Sequence, residues 1–481
     1  MTWNARSAVG SVHPQASGKV WLFEVMRGAP FPWGRRLHVR RAAISLVGWR
    51  GRDDGRHSRR TGSLEPTYDA NVANGACIRP PLRPDDAKIC RGPMPLLVVL
   101  SIATFVSAFS IRILDPLVPS LARDLGVLVG TAAMLAPAYT FPYALAQPLL
   151  GAAGDQLGKE RIIKVCLGLL ALSLLAAALA PNYTTLLVAR CCAGLAGGGI
   201  IPISFAIVGD RFAVGERQVA LARLVMASQF AILLSAGLSG MIAASLGWRS
   251  VFAIAAAIAA TSFFLMLRAL PGEERAPSAV PLSFGVMRNK YGDVLSNPLA
   301  LVVLPAAMLE GMVMFGLLPF VAHRLEVRGH GGIVEAGLVI ATMSIGGIMF
   351  TLFVGRLLKL LGREGLIRAG GVISCLGMIG IAFSPSWPVE ALFFALLGFG
   401  FFMIHNSLQL QATELSPQAR ASSVALFAFS FFLGQAAGPL LYHAAFEALG
   451  MDVPIVLAGV LLLALSLSVA FRLKLRPATQ D

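Results

Sequence analysis

From position 94 onward the chain repeats one pattern, about 20 mostly apolar residues followed by a short polar break. A helix of that length crosses a hydrocarbon core of about 30 Å, at about 1.5 Å of rise per residue. The pattern predicts twelve membrane helices, at 95–119, 129–151, 161–180, 184–207, 221–245, 250–270, 299–322, 333–357, 366–384, 389–412, 419–446 and 453–472. Proline and glycine inside several of them are tolerated because neighbouring helices re-satisfy the freed backbone groups. The longest break, Pro271 to Pro298, carries Pro, Gly and Ser together with Glu273, Glu274, Arg275, Arg288 and Lys290. It divides the helices into six and six.

Composition supports the same plan. Of 481 residues, 56% are hydrophobic and 14% charged, against about 25% charged in ordinary soluble domains. A water-soluble chain of this size has no place for so much apolar surface. Net charge is +15, and residues 1–93 alone contribute +9. That segment is rich in Arg, Gly and Pro and has no sustained helical or strand period. Its best apolar run, Val20 to Val25, is broken by Glu24 and is too short for a signal peptide. Three readings stand for this extension. It is a basic, disordered tail on anionic lipid, a nucleic-acid binder without an accompanying fold, or an untranslated stretch ahead of a start at Met94. The last is the favoured expectation, and no nucleic-acid partner is expected. The six cysteines form no CxxC and have no partnering His, so neither a disulfide framework nor a zinc site is expected. No P-loop or nucleophile–base pair points to an enzyme, and no cofactor or metal is expected.

Charge asymmetry sets the orientation. With the N-terminus in the cytoplasm, inner loops and the C-terminal tail hold 18 of the 24 Lys and Arg that follow Met94. Outer loops hold four, Arg123, Arg249, Arg324 and Arg328, and two, Arg112 and Arg190, lie within the membrane. The positive-inside rule therefore puts both termini in the cytoplasm of a cell with an inner (plasma) membrane.

The halves repeat each other. After the second segment stands Gly151-Ala-Ala-Gly154-Asp155-Gln-Leu-Gly158-Lys159-Glu160-Arg161, and after the eighth stands Gly355-Arg-Leu-Leu-Lys359-Leu-Leu-Gly362-Arg363-Glu364. Gly, Gly, a base and Glu recur 204 residues apart. Internal repeats in a polytopic chain mark secondary transporters, with the site at the interface of the halves. The first copy resembles the loop 2–3 signature of the major facilitator superfamily, G-x-x-x-D-x-x-G-(R/K). Arg190-Cys-Cys-Ala-Gly194 is similar to that superfamily's R-x-x-x-G pattern, and Gly247-Trp248-Arg249 and Gly434-Gln-Ala-Ala-Gly438-Pro439 are similar to features of its 12-helix drug and metabolite exporters. The resemblance covers about Met94 to Arg476. It implies an all-α membrane protein with twelve transmembrane helices in two pseudo-symmetric six-helix bundles. These are 94–270 and 299–476, with 271–298 as cytoplasmic linker and 477–481 as tail. It also implies alternating access, a monomer, and a central cavity lined by the first, fourth, seventh and tenth helices. The fifth helix departs from the exporter signature: Ser235-Ala236-Gly-Leu-Ser239-Gly240 has no proline. Lys359 stands where the first loop copy has Asp155, so only the first half offers that acid.

Two sets of site residues follow. Asp155 at the end of the second helix either latches the outward-facing state, by accepting hydrogen bonds from a helix N-terminus of the other bundle, or is a solvated loop charge. Gly151, Gly158, Gly355 and Gly362 serve close approach and turning, and Lys159, Arg161 and Arg363 complete the loops or merely mark the inside. The second set is ionisable or polar at membrane depth, where such groups are costly and line the interior. It comprises Arg112 and Asp115 in the first helix, Arg190 in the fourth, Glu310 in the seventh, and His405, Asn406 and Gln409 in the tenth. Asp115 shares a face with Arg112. Either Asp115 neutralises one arginine while the other meets substrate, or an Arg–Asp pair holds the first and fourth helices together. Glu310, with no basic residue within a turn on its own helix, is expected as proton carrier, against a Glu satisfied by backbone or serine. His405 is a packing residue or a substrate contact. Gln147, Gln229 and Gln435 are weaker candidates. Tyr139, Tyr143, Cys191 and Cys192 are expected to pack, and Gly194 to Gly199 to form a close helix contact.

The function expected is secondary active transport of a small organic compound, by proton-coupled efflux. The alternatives are a proton-coupled metabolite symporter for uptake and a transport-silent membrane sensor or scaffold. The expected partners are a small-molecule substrate, protons and the lipid bilayer.

Overall fold

A computed structural model describes residues 94–212, 214–270, 284–416 and 420–474. The expectations for 1–93 and 477–481 lie outside the described residues. Every described element is helical.

In the first half, α1 (Met94–Arg112) runs through a 3-10 turn at Asp115–Leu117 into α2 (Val118–Leu125). Pro116 has no N–H for the helical ladder, and the chain tightens there, with Leu117 N–H donating to Leu114 C=O at 2.8 Å. Then follow α3 (Val129–Ala133), α4 (Pro137–Leu157), α5 (Lys159–Ala178), α6 (Tyr183–Arg211), α7 (Val214–Leu246) and α8 (Trp248–Ala269). Asn182 caps α6 by accepting from Thr185 N–H at 2.9 Å. Next comes α9 (Phe284–Leu295), a helix inside the stretch expected as linker. Val294 anchors it, fully buried in an apolar cluster that also holds Phe427 and Leu408.

The second half repeats the first. α10 (Ala300–Gly316) runs through a 3-10 turn at Leu318–Phe320 into α11 (Val321–Val327), again at a proline, Pro319. It continues with α12 (Ile333–Ala382), α13 (Trp387–Thr413), α14 (Arg420–Leu449) and α15 (Asp452–Lys474). Ten of the described helices are long and apolar enough to cross a membrane. Among them, α12 has 50 residues and covers the eighth and ninth predicted segments. Its single non-helical residue, Gly362, turns the chain without the loop expected there. The second predicted segment, 129–151, is divided between α3 and α4 by a turn at 134–136. Among the described residues, six of the seven glycines at positive φ fall in pairs: Gly126 with Gly329 and Gly247 with Gly450 are 203 residues apart, and Gly158 with Gly362 are 204 apart. The repeat is thus one of backbone conformation at positions where a side chain would be strained.

Within the first half α1 packs on α6, α7 and α8, and α4 and α5 on α6. The glycine run of α6 lets α4 approach closely, since a Cβ on Gly194 or Gly198 would run into the backbone at Tyr139 or Tyr143. Within the second half α10 packs on α14 and α13, and α12 on α13 and α15. The halves meet along α4 with α14 and α7 with α12. Large apolar side chains such as Leu172, Phe264, Leu301 and Leu392 point outward from the bundle, as a lipid-facing surface requires.

Candidate functional site

A cavity lies between the halves, with about 820 Å³ free of protein atoms, part of it open to solvent. Its wall comes from both: Arg112 at the end of α1, Gln229 of α7, Phe315 near the end of α10, Ser344 of α12, His405 of α13 and Gln435 of α14. α6 supplies no lining residue, so the expectation that the fourth helix faces this cavity is corrected; the fifth, eighth and eleventh helices take part instead.

Arg112 is the cavity's full cation. Its guanidinium donates to Gln435 Oε1 across the halves, lies 4.1 Å over the Phe315 ring, and stands 3.6 Å from Asp115 Oδ2. Asp115 is fully buried, does not line the cavity, and neither of its oxygens accepts a hydrogen bond. Its pair is therefore Coulombic, three residues along the chain, and supports Arg112 from behind.

Arg190 is spent elsewhere. Fully buried in α6, it donates from Nη1 to Ser110 C=O at 3.1 Å and from Nε to Leu135 C=O at 3.3 Å, with Tyr139 stacked 4.3 Å away. The side chain ties the end of α1 and the turn before α4 to α6, and of the two expected arginines only Arg112 reaches the cavity.

Glu310 does have a partner, on another helix. His405 Nδ1 sits 3.0 Å from Glu310 Oε2, while Oε1 has none. Glu310 is fully buried and His405 is partly open to the cavity. The imidazole is held among Phe401, Phe427 and Phe431, with ring centroids 5.0, 5.4 and 4.6 Å away. The ring is thus packed among aromatic side chains and paired with Glu310, while one side of it lines the cavity. Asn406 and Gln409 are exposed and do not line the cavity. Tyr139 and Tyr143 are buried and stacked on each other.

The two ends of the molecule differ. At the α2/α11 end, Arg123 pairs with Glu326 across the halves at 3.2 Å, and Gly130 lies against the His443 ring. At the other end, the surroundings of Gly151 and the side chain of Asp155 lie outside what the structure describes. There Lys159 Nζ donates to Asp210 Oδ2 at 2.8 Å, and Arg211 pairs with Glu160, all within the first half. Arg161 and Arg363 are exposed, and Gly158, Gly355 and Gly362 have open space where a Cβ would stand.

Gln435 is only a weaker candidate from sequence, and the lining phenylalanines are signalled there by the doublets Phe401–Phe402 and Phe431–Phe432. Arg324, an outer-loop charge by the hydropathy pattern, lies inside the protein. Arg324 is buried, 2.7 Å from the equally buried Glu390, and donates to Ala382 C=O at 3.0 Å. Glu390 also accepts from Ser384 Oγ at 2.9 Å.

The family model described as Major Facilitator Superfamily matches residues 100–439. Among curated relatives, the uncharacterized MFS-type transporter YbcL of Bacillus subtilis is 26% identical over 39% of this chain and 47% of its own. The MFS-type transporter clz19 of Cochliobolus lunatus is 25% identical over 65% of this chain and 64% of its own. The chain thus spans about half to two thirds of the length of these relatives. Among solved structures, a bacterial homologue of the human lysosomal transporter Spinster, inward-facing and unoccupied, aligns with a TM-score of 0.62 at 17% identity. That alignment covers 83% of this chain and all of the homologue. The nucleoside transporter NupG aligns with a TM-score of 0.65 at 16% identity, over 79% of this chain and 99% of NupG. At such identities these two speak for the fold alone.

Proposed function

The chain belongs to the Major Facilitator Superfamily, and from that premise we propose that it exports a small organic compound by proton-coupled alternating access. Membership makes it a membrane-embedded transport protein rather than an enzyme. The observation that carries the reading is the cavity lined from both halves, with Arg112 donating to Gln435 across them. A site built that way is remade whenever the halves rock about it.

In this reading the protein is a monomer in the inner membrane, as two bundles, 94–270 and 299–476, with both termini in the cytoplasm. The Lys- and Arg-rich end is then inside. The contacts at the α2/α11 end then lie on the outer side. Asp155 latches the outward-facing state, together with Gly151, Gly158, Lys159 and Arg161 and the second loop copy. Losing one charge-assisted contact costs about 1–3 kcal/mol. Asp155→Asn should therefore lower the periplasmic labelling of an engineered cysteine in the cavity by about tenfold or more, and unchanged labelling refutes the latch.

Glu310 is the proton carrier: its burial, its one unpartnered oxygen and its contact to His405, which reaches the cavity, support that role. Asp115 orients Arg112. The test uses proteoliposomes and a cargo found by comparing compound accumulation in cells with and without the gene. Glu310→Gln should abolish gradient-driven accumulation while binding and exchange persist. A Gln variant that still concentrates cargo ends the assignment, and uncoupling by Asp115→Asn alone reverses the two roles. The absent proline between Ser235 and Gly240 favours a second reading, proton-coupled uptake, which inverting the imposed gradient separates from export.

A further inference from the structure

The wall of the cavity is one-sided in charge. Among the described residues its polar members are Arg112, Gln229, Ser344, His405 and Gln435, and none of these is a carboxylate. The two nearby acids, Asp115 and Glu310, are fully buried, the first behind Arg112 and the second behind His405. The rest of the wall is apolar, with five phenylalanines, Phe315, Phe401, Phe402, Phe431 and Phe432. We propose that the cargo is an amphipathic organic anion, an aromatic or otherwise flat apolar body bearing one carboxylate-like group, with that group bound by Arg112.

Arg112 is built for exchange of acceptors. A guanidinium keeps its charge and offers five donors in a planar fork. Here its polar partner from the wall is a neutral amide, Gln435, and its carboxylate partner stands off at 3.6 Å without a hydrogen bond. An incoming carboxylate is the stronger acceptor, because charge-assisted bonds are about twice as strong as neutral ones. The ligand's anionic group replaces Gln435, and the freed amide turns its own N–H groups toward the ligand. Since Arg112 stands on α1 and Gln435 on α14, occupancy exchanges a bond between the halves for one through the cargo.

A cationic cargo fits poorly, although phenylalanine faces attract cations. The Phe315 face is already taken by Arg112, and the Phe401 and Phe431 rings pack on His405. An ammonium group would stand near Arg112 with no carboxylate on the wall to offset it.

The inference rests on the cavity being the transport site, and its test reads binding instead of flux. Three probes of one shape are titrated calorimetrically into the purified full chain in nanodiscs: 1-naphthoate, 1-naphthamide and 1-naphthylmethylammonium. The anion should bind about tenfold or more tighter than the amide, the scale of one charge-assisted contact, and the ammonium weakest. Arg112→Gln should remove the preference of anion over amide while leaving amide binding in place. Gln435→Leu, which deletes the competing acceptor and keeps the cation, should retain or enlarge that preference. The order among the three probes needs no variant, so a variant that fails to fold leaves the proposal open to refutation. Equal or tighter binding of the amide or the ammonium overturns it, as does a preference that survives Arg112→Gln or binding of none of the three. Correct preference without gradient-dependent flux would instead sink the coupled-transport reading and leave this one standing.

Discussion

Arg112 and Phe315 stand at equivalent places, each three residues before the 3-10 turn that follows the first helix of its half. One half has a cation there and the other an aromatic ring, and the two touch, guanidinium over ring at 4.1 Å. Glu310 likewise answers to Ser107, 203 residues earlier. Ser107 donates to Gly197 C=O at 3.0 Å, where Glu310 meets His405. At the far ends the signs are exchanged. In the first half the acid is Asp124, at the end of α2, accepting from Trp248 and Arg249 at the start of α8. In the second half the bases are Arg324 and Arg328, on and just after α11, facing Asp452 at the start of α15. A shared backbone plan therefore holds different chemistry in each half. At the matched inner positions the two halves carry different side chains, one pair of which touch each other, while at the ends both halves have a helix-to-helix tie of opposite polarity.

The contrast between the two end ties can be broken most severely in the second half. Arg324 and Glu390 are both out of solvent, so removing Glu390 leaves a buried cation whose remaining counter-charge is the more exposed Asp452 at 3.9 Å. Glu390→Leu should cost about 3–5 kcal/mol and lower the melting temperature in detergent sharply. The double variant Arg324→Met/Glu390→Leu should recover much of that loss. A single variant as stable as the parent would show that the pair carries no such charge. In the first half Asp124 and Arg249 are about half exposed, and the same experiment should move stability little.

The matched pair Glu310 and Ser107 sharpens the comparison at the centre. Whereas Glu310→Gln should abolish gradient-driven accumulation, Ser107→Ala should cost about 1 kcal/mol of stability and leave coupling intact. If Ser107→Ala uncouples transport as well, the halves share the coupling role and the assignment to one side fails.

The smallest effect belongs to Arg123 and Glu326, the ion pair between the halves at the α2/α11 end. The Arg123 side chain is 64% exposed, so screening leaves the pair about 0.2–1 kcal/mol at most. Arg123→Ala should shift the inward–outward balance by no more than a few-fold, and less still in high salt. A large, salt-independent shift would show that this contact closes the outer side by more than charge.

Much of this architecture is legible in the one-dimensional pattern. A segment of some 20 apolar residues has one stable solution in lipid, a helix that satisfies its own backbone, so the spans were readable before any packing was known. The paired glycines were partly readable too, because the turn at Gly158 and Gly362 needs a residue without Cβ. Charges isolated in apolar runs marked Arg112, Asp115, Arg190 and Glu310 as interior groups, since lipid does not tolerate them. Which of them meet was not readable. Helical periodicity relates residues three and four apart, so it joined Arg112 to Asp115. It says nothing of a neighbour 95 residues away, such as His405 for Glu310, or 323 away, such as Gln435 for Arg112. Arg190 illustrates the same limit: its residue type and depth suited a binding site, but the rotation of α6 turned it onto two backbone carbonyls. Arg324 lay just beyond the predicted span, yet the helix continued past Pro319 and carried it into the protein. Sequence alone determined the membrane helices, the repeat and the cost of each interior charge, because these follow from transfer into lipid and from local backbone geometry. The tertiary structure decided which charge faces the cavity and which is sealed, because that depends on how each helix is turned against its neighbours.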